Sequence, residues 1–351
     1  MANEDYSNFE KTMAAFTMAI YIVTFVLGVT GNGVVICFTG FKMKRTVNTV
    51  WFLGLAVADF IFSLFLPLSF TYVALGFDWP FGTLLCKTNS WVSVLNMLAS
   101  VFTLAAISLD RLVAVALPVW AQNHRGPGLA TLASLAVWFA AALLSSPTLV
   151  YRDTIRIANR TICYNNFLPE SQHAAETGQG GEADSDETME YLESLYSMRY
   201  QSVTLARFFC GFLLPLLVIV ACYTIIGCRL KHNHLANSAK PFKVIAAIIL
   251  TFLLCWAPYH ILMLLEFAHP FDQPIPLALR VGIPLSSSLA CVNSCLNPIL
   301  YVCMGRDFRD TVRMSMRKVL ERAFTEDSLQ TYTSRSRTKA LSLDGEASAS
   351  V

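Results

Sequence analysis

The stretch at residues 46–74 reads TVNTVWFLGLAVADFIFSLFLPLSFTYVA and contains a single charged side chain, Asp59. About 20 consecutive apolar residues are enough for a helix to cross a lipid bilayer, and a charge inside such a helix is costly. A stretch of this length is too long for one strand of a membrane β-barrel. The sequence therefore predicts a membrane-spanning helix that carries a buried carboxylate.

Six further stretches have the same apolar character. They lie at residues 14–41, 88–116, 128–150, 200–228, 244–265 and 281–303. The Asp, Glu, Lys and Arg residues within all seven stretches are Asp59, Asp110, Arg111 and Arg207. The chain of 351 residues is 14% charged, whereas soluble domains carry roughly 25% charged residues. The pattern predicts an all-α membrane protein, a seven-transmembrane helix bundle spanning 14–303, and argues against a soluble globule or a disordered chain.

The distribution of basic residues predicts how the bundle is oriented. Lys42, Lys44 and Arg45 follow the first stretch, and other basic residues lie between the fifth and sixth stretches and after the seventh. Basic loops stay on the cytoplasmic side. Residues 1–13, which show no cleavable signal peptide, are therefore expected outside the cell, and the protein is expected in the plasma membrane. The sequon at Asn159 falls on the extracellular side and predicts a glycosylation site.

The connections and the C-terminal segment add four further predictions. A long extracellular loop at about 151–199 has nine acidic residues against four basic ones. Of the ten cysteines, only Cys86 and Cys163 face the oxidising side, which predicts a disulfide; the alternative is two free thiols. Residues 304–323 have apolar side chains at helical spacing between basic ones, which is typical of a short amphipathic helix on membrane lipid, and 324–351 are predicted to be a disordered tail.

Polar residues inside the stretches indicate a cation site. The carboxylate of Asp59 needs a partner, and several amide and hydroxyl oxygens are expected at the same depth. These belong to Asn96, Ser100, Asn293 and Asn297. Such an oxygen set suits a small hard cation such as sodium, held as an allosteric ion rather than a cofactor. The alternative is a water-filled hydrogen-bond network without an ion.

Arg207 is the strongest candidate for ligand binding. It lies within the first two turns of the fifth stretch, where a guanidinium needs a carboxylate, and arginine is suited to bidentate capture of one. The alternative is an intramolecular partner such as Glu266. Glu266 and Arg280 flank the last extracellular loop and are either ligand contacts or helix-end charges. Tyr259 and His260 either line the cavity or pack against neighbours.

Several motifs together resemble the rhodopsin-like (class A) G-protein-coupled receptors over nearly the whole chain. They are Gly31-Asn32, Leu55-Ala-Val-Ala-Asp59, Asp110-Arg111-Leu112, Trp138, Pro215 with Tyr223, Phe252-Leu-Leu-Cys-Trp256-Ala-Pro258 and Asn297-Pro298-Ile-Leu-Tyr301. Leu112 departs from the family's commonest triplet, which ends in Tyr. Within the family the chain is most similar to the chemoattractant branch and its chemerin (chemokine-like) receptors, as in Cys163-Tyr-Asn-Asn-Phe167 and Arg207-Phe-Phe-Cys-Gly-Phe212.

This resemblance implies a receptor mechanism. Arg111, held inactive by Asp110, would move to the G protein when the sixth span swings outward, with Tyr223 and Tyr301 supporting the open state. Trp256 would lie beneath the ligand, above a repacking layer of Val101, Pro215 and Phe252, and Asn297 and Pro298 would belong to the switch. The resemblance also implies sodium at Asp59, inhibitory G proteins, and receptor kinases and arrestin acting on the tail.

The sequence thus predicts a receptor for an extracellular chemoattractant peptide or protein, chemerin-like, whose carboxylate docks on Arg207. A lipid-mediator receptor of the same branch, a non-signalling scavenger receptor and a sodium-coupled transporter are the alternatives. No nucleic-acid partner is expected. An enzyme is not expected either, because HExxH and Gly-x-Ser-x-Gly are missing and the six histidines form no ligand-spaced cluster.

Overall fold

The computed structural model describes residues 2–168, 186–232, 240–269 and 276–304, together with 310, 313 and 314. The chain forms two compact units, Met1–Leu300 and Tyr301–Val351. The predicted amphipathic helix at 304–323 and the tail at 324–351 therefore lie almost entirely outside the described residues. The same holds for the acidic middle of the long loop.

The described residues form ten α-helices and one antiparallel hairpin. The helices are α1 (Ala2–Cys37), α2 (Val47–Ala74), α3 (Gly82–Ala116), α4 (Pro118–His124), α5 (Pro127–Ser145), α6 (Pro147–Tyr151), α7 (Asp186–Phe208), α8 (Leu214–His232), α9 (Lys240–Phe267) and α10 (Leu277–Met304). The hairpin consists of β1 (Arg152–Ile157) and β2 (Arg160–Asn165). Short π-helical segments continue α1 at Phe38–Lys42 and join α7 to α8 at Phe209–Leu213.

Seven helical segments are long and apolar enough to cross a membrane, which confirms the predicted number. They are Lys11–Lys42, Val47–Ala74, Gly82–Ala116, Pro127–Tyr151, Met189–Arg229, Ala246–Phe267 and Leu277–Leu300. The fourth segment comprises α5 and α6, and the fifth runs from α7 into α8. The short α4 lies in the connection between the third and fourth segments.

Local chemistry sets where these helices begin. Thr46 caps α2, because its Oγ1 accepts a hydrogen bond from the Thr49 backbone N–H (3.2 Å) while Thr49 Oγ1 accepts one from the Thr46 N–H (2.8 Å). Such a reciprocal box satisfies two donors that a helix start leaves open. Helix α5 begins with Pro127 after the extended Gly126, and proline at this position loses no helical hydrogen bond.

Exposure and burial are distributed as expected for a bundle in lipid. Leu132, Leu135 and Phe139 on α5 each expose more than 60% of their surface. Polar side chains such as Asn32 and Ser63, in contrast, are completely buried. An apolar exterior around a polar interior would be unfavourable in water, because large exposed apolar patches promote association. The arrangement instead suits a helix bundle whose outer faces contact acyl chains.

Two glycines allow α1 to approach its neighbours closely. A Cβ atom added at Gly28 would collide with the Ser63 hydroxyl on α2. One added at Gly31 would lie 3.0 Å from the Cβ of Pro298 on α10. Small residues at helix contacts are typical of membrane bundles. The packing holds α2, with its buried Asp59, beside α10.

Candidate ligand-binding and signalling sites

The hairpin lies over the outer ends of α2 and α3. The predicted disulfide between Cys86 and Cys163 is present and closes a separation of 77 residues. Two further contacts hold the hairpin in place: Asp78 Oδ1 accepts a hydrogen bond from the Thr161 backbone N–H at 2.7 Å, and the hydroxyl groups of Thr83 and Thr154 lie 2.5 Å apart. The first part of the long loop is therefore an ordered structure at the mouth of the bundle.

Asn159 lies in the turn between the two strands. Its side chain is exposed, and its Oδ1 accepts a long hydrogen bond of 3.4 Å from Arg156 Nη2. An exposed turn at the tip of a hairpin is accessible to a modifying enzyme. Glycosylation of Asn159 remains a prediction with suitable geometry.

Arg207 lines a cavity of about 380 Å³ between α3, α5, α6 and α7. Its Nη2 donates a hydrogen bond to Thr148 Oγ1 at 3.0 Å. The structure describes both Arg207 and Glu266, and no ion pair joins them. A partly buried guanidinium that contacts a neutral hydroxyl retains most of its capacity to bind an anion.

Arg152 is a second half-buried cation, which is not among the predicted ligand residues. Its guanidinium donates to the Cys163 carbonyl oxygen (3.1 Å) and to Asn165 Oδ1 (3.0 Å), both neutral acceptors. Burial lowers the pKa of Arg152, and the nearby charge of Arg207 lowers it further. In the sequence, Arg152 can be recognised by its position directly after the apolar end of the fourth span. The hairpin covers a basic residue at this position and keeps it from pointing freely into solvent.

A larger cavity of about 590 Å³ lies between α1, α2, α3 and α10. Arg152 and Arg280 both line it, together with apolar side chains such as Met13 and Val281. This volume is within the range of small-molecule sites, which span about 300–1,000 Å³. The predicted ligand residues therefore do not share one cavity, because Arg207 faces the smaller cavity and Arg280 the larger one.

The other predicted ligand residues, on α9, line neither of these cavities. His260 is buried and its ring stacks on Phe212 at 4.8 Å. Tyr259 packs edge-on against Trp256, with ring centroids 5.8 Å apart, and Glu266 is half-buried near the outer end of the helix. His260 and Tyr259 thus join an aromatic layer inside the bundle, next to the residues predicted to repack on activation.

That layer continues downward into the predicted switch. The rings of Trp256 and Phe252 stack with centroids 6.0 Å apart, and Phe252 and Val101 are almost fully buried. Pro215 is buried at the start of α8, immediately after the π-helical segment. The structure therefore brings these four residues into the bundle interior, and their switching role stays a prediction.

The predicted sodium residues meet around Asp59. Asn297 Nδ2 donates to Asp59 Oδ2 at 2.8 Å, and Asn96 Nδ2 donates to Ser294 Oγ at 3.0 Å. Several buried oxygens of this cluster accept no hydrogen bond. They are Asp59 Oδ1, Asn96 Oδ1, Ser100 Oγ, Asn293 Oδ1 and Asn297 Oδ1. One carboxylate with four neutral oxygens fits a hard cation, because buried acceptors rarely stay unsatisfied.

At the inner end of α3 the structure differs from the expectation. Asp110 does not hold Arg111; both of its oxygens accept hydrogen bonds from Arg125, each at 2.8 Å. Arg111 donates instead to Asn48 Oδ1 at the start of α2. The buried hydroxyl of Tyr223 makes no hydrogen bond. The side chain of Tyr301 lies outside the described residues.

Comparison with known proteins identifies the family. The family model described as "7 transmembrane receptor (rhodopsin family)" matches residues 31–179 and 186–301. The chain belongs to the rhodopsin-like family of G-protein-coupled receptors. Such receptors have extracellular ligands and G-protein partners, and they are multi-pass proteins of the plasma membrane. They are not enzymes, which confirms that prediction, and the transporter alternative is set aside.

The relatives place the receptor in the chemoattractant branch. It is 45% identical to human "Chemerin-like receptor 1" over 326 residues, covering 93% of this chain and 84% of the relative. Rat "Chemerin-like receptor 2" is 42% identical over 331 residues, covering 93% and 87%. Zebrafish "C3a anaphylatoxin chemotactic receptor" is 43% identical over 329 residues, covering 94% and 83%. The predicted resemblance to the chemerin-like receptors is confirmed.

Proposed function

We propose that this receptor binds an extracellular chemoattractant peptide or protein, chemerin-like, through a ligand carboxylate that docks on Arg207. The observation that carries the proposal is the guanidinium of Arg207, which faces a cavity and, among the described residues, donates its hydrogen bond to the neutral hydroxyl of Thr148. A carboxylate would supply the missing anion and accept two parallel hydrogen bonds. The nearby cation of Arg152 strengthens the attraction, and the names of the relatives agree with such a ligand.

The outer segments of the chain are suited to a ligand with basic stretches. In this proposal the N-terminus is extracellular, so that α7 projects outward from the membrane beyond the apolar part of its span. Glu190 and Glu193 are exposed on that projection. Complementary charge accelerates encounter more than it raises final affinity. We propose that the rest of the ligand contacts Arg280 in the larger cavity and Tyr259, His260 and Glu266 on α9, outside both cavities.

Signalling then passes through the aromatic layer. Ligand contact with His260 displaces Trp256 and Phe252, and the change in packing moves α9 outward at its inner end. Arg111 leaves Asn48 and reaches the G protein, with Tyr223 and Tyr301 supporting the open arrangement. Packed cores change between discrete arrangements, which makes such a layer a suitable relay. The G protein is of the inhibitory class, and kinases and arrestin act on the tail.

The test is activation in transfected cells with inhibition of cyclic AMP as the measurement. A peptide of the chemerin C-terminus is expected to lower cyclic AMP, with a formylated peptide as the comparison. The effect should vanish when inhibitory G proteins are inactivated by ADP-ribosylation. Binding of the chemerin peptide without any G-protein or arrestin response would instead indicate a scavenger receptor. Absence of peptide binding would contradict the proposal.

A lipid-mediator receptor is the second candidate, and the larger cavity favours it. That cavity has mostly apolar walls and two arginines, Arg152 and Arg280, a combination that suits an acyl chain with an anionic head. Adding a long-chain hydroxy fatty acid to the same assay distinguishes the two candidates. A response to the lipid with none to the peptide would favour the second candidate.

We also propose that the cluster around Asp59 binds sodium in the resting receptor. Asp59, Asn96, Ser100, Asn293 and Asn297 would hold the ion, which would neutralise the buried carboxylate. A cluster that binds a cation more tightly in one arrangement shifts the population toward that arrangement. The unsatisfied oxygens of the resting cluster support this function.

Asp59→Asn should abolish the sodium dependence of agonist affinity. In the unsubstituted receptor, exchanging choline chloride for sodium chloride is expected to weaken agonist binding about fivefold or more. The asparagine variant should show equal affinity in both salts, because the charge that attracts the cation is gone. Ser63→Ala is the matched control: Ser63 lies one turn away, but its hydroxyl donates to the Asp59 backbone carbonyl. Full sodium dependence in Asp59→Asn would contradict the proposed site.

A further inference from the structure

Two adjacent residues at the inner end of α3 have unlike partners. Asp110 receives a two-pronged contact from Arg125, with Nε to Oδ1 and Nη2 to Oδ2 both at 2.8 Å. Arg111, of opposite charge, is bound to the neutral amide oxygen of Asn48. Both carboxylate oxygens of Asp110 are thus engaged by a residue outside α3.

Arg125 is well placed to keep this contact. It follows α4 and precedes Gly126, and its backbone N–H donates to the Ala121 carbonyl at 2.9 Å. Its side chain is 26% exposed and that of Asp110 is 13% exposed. The hydrogen bonds to Asp110 raise the pKa of Arg125. A charged, two-pronged contact of this kind is stronger than a neutral hydrogen bond.

Arg111 is held less firmly. Its Nη2 contacts Asn48, while its buried Nε has no hydrogen-bond acceptor. The bond to Asn48 joins a charge to a neutral dipole, whereas a bond to Asp110 would join opposite charges in a partly buried place. Attraction between opposite charges grows as the surroundings become less polar. Whether Asp110 pairs with Arg125 or with Arg111 therefore determines how easily Arg111 can leave its present position.

We infer that Arg125 is a positioning residue for G-protein coupling: it occupies the carboxylate of Asp110 and so leaves Arg111 held by Asn48. The inference rests on the proposed function, in which Arg111 contacts the G protein. Removing Arg125 is expected to lower coupling, because Asp110 is then free to attract Arg111. Coupling falls even though a contact between the α4 connection and α3 has been removed.

The experiment measures basal nucleotide exchange on a purified inhibitory G protein by the full-length receptor in lipid nanodiscs. Arg125→Gln should lower the exchange rate about two- to fivefold, the factor that a partly exposed ion pair supplies. In an Asp110→Asn background the same substitution should have no effect. Asn48→Ala should raise exchange by a similar factor, because Arg111 then loses its acceptor.

Three comparisons separate this inference from other causes. Arg45→Gln is the matched control, since Arg45 donates to Thr131 at 3.0 Å in the same part of the bundle without contacting Asp110 or Arg111. If Arg125→Gln does not fold, Arg125→Lys, which keeps the charge but not the fork, should give an intermediate loss. Arg111→Ala should abolish exchange, and retained exchange would contradict the proposed role of Arg111 itself.

The outcome that overturns the inference is specific. Arg125→Gln with unchanged or raised exchange would show that Asp110 does not compete for Arg111. An equal loss of exchange in the presence and absence of the Asp110 carboxylate would show that Arg125 contacts the G protein directly. A loss of exchange that Arg125→Gln causes only when the Asp110 carboxylate is present supports the inference.

Discussion

Replacing Arg207 by alanine should weaken binding of a peptide with a free C-terminal carboxylate by about 100-fold. Loss of one partner from a desolvated charge pair costs about 2–5 kcal/mol, which covers this factor. The variant leaves Thr148 Oγ1 without its donor, but a hydroxyl can turn toward another partner. The measurement is competition binding on membranes, with receptor number determined separately by a surface antibody.

The partner of Arg207 on the ligand can be identified with a second change. Amidating the peptide C-terminus removes the charge that Arg207 is proposed to bind. The loss caused by amidation should be large in the unsubstituted receptor and nearly absent in Arg207→Ala, because the two changes remove one interaction. Gln201→Ala, an exposed position on the same helix, should leave both affinities unchanged. Additive losses would show that Arg207 and the carboxylate act separately.

The number and type of the helices could be predicted from the sequence, but several helix ends could not. Hydropathy marks where a chain crosses lipid and not where its helix stops. Helix α7 begins at Asp186, well before the apolar stretch that starts at residue 200, because polar residues continue the helix beyond its apolar part. In the same way, α3 starts at Gly82, whereas its apolar stretch begins at residue 88. The disulfide that anchors the hairpin between α6 and α7 could be predicted, but the contact of Asp78 with the hairpin could not, because local patterns do not reveal it.

Some features of the candidate sites could be predicted from the sequence, and others could not. The polar cluster at Asp59 could be predicted, because a charge in an apolar helix requires partners at the same depth. The partner of Asp110 could not be predicted, because Arg125 and Arg111 carry the same charge. Only the fold of the α4 connection brings Arg125 Nε within 2.8 Å of Asp110 Oδ1. Arg152 could not be predicted as a ligand residue, because loop arginines are usually solvated and only the hairpin makes this one half-buried.

Removing the disulfide should have the largest effect on stability. Closing a separation of 77 residues is worth about 4 kcal/mol in the chain-entropy model. Cys163→Ser should therefore lower the thermal unfolding temperature of the purified receptor markedly and reduce the amount that reaches the cell surface. Cys86→Ser and the double variant should show the same loss, since each removes the same bond.

The hairpin is expected to shift as well as loosen when this bond is lost. Cys163 lies opposite Thr154 in the strand pairing, and its carbonyl accepts the hydrogen bond from Arg152 Nη2. Once Cys163 is released from α3, the contacts of Asp78 and Thr83 must hold the hairpin, and the position of Arg152 beside Arg207 is no longer fixed. Affinity for the carboxylate ligand should then fall even among receptors that fold. Cys37→Ser, an exposed free thiol at the end of α1 that lines neither cavity, is the matched control. Unchanged affinity in folded Cys163→Ser receptor would show that the hairpin contributes to folding and not to the ligand site.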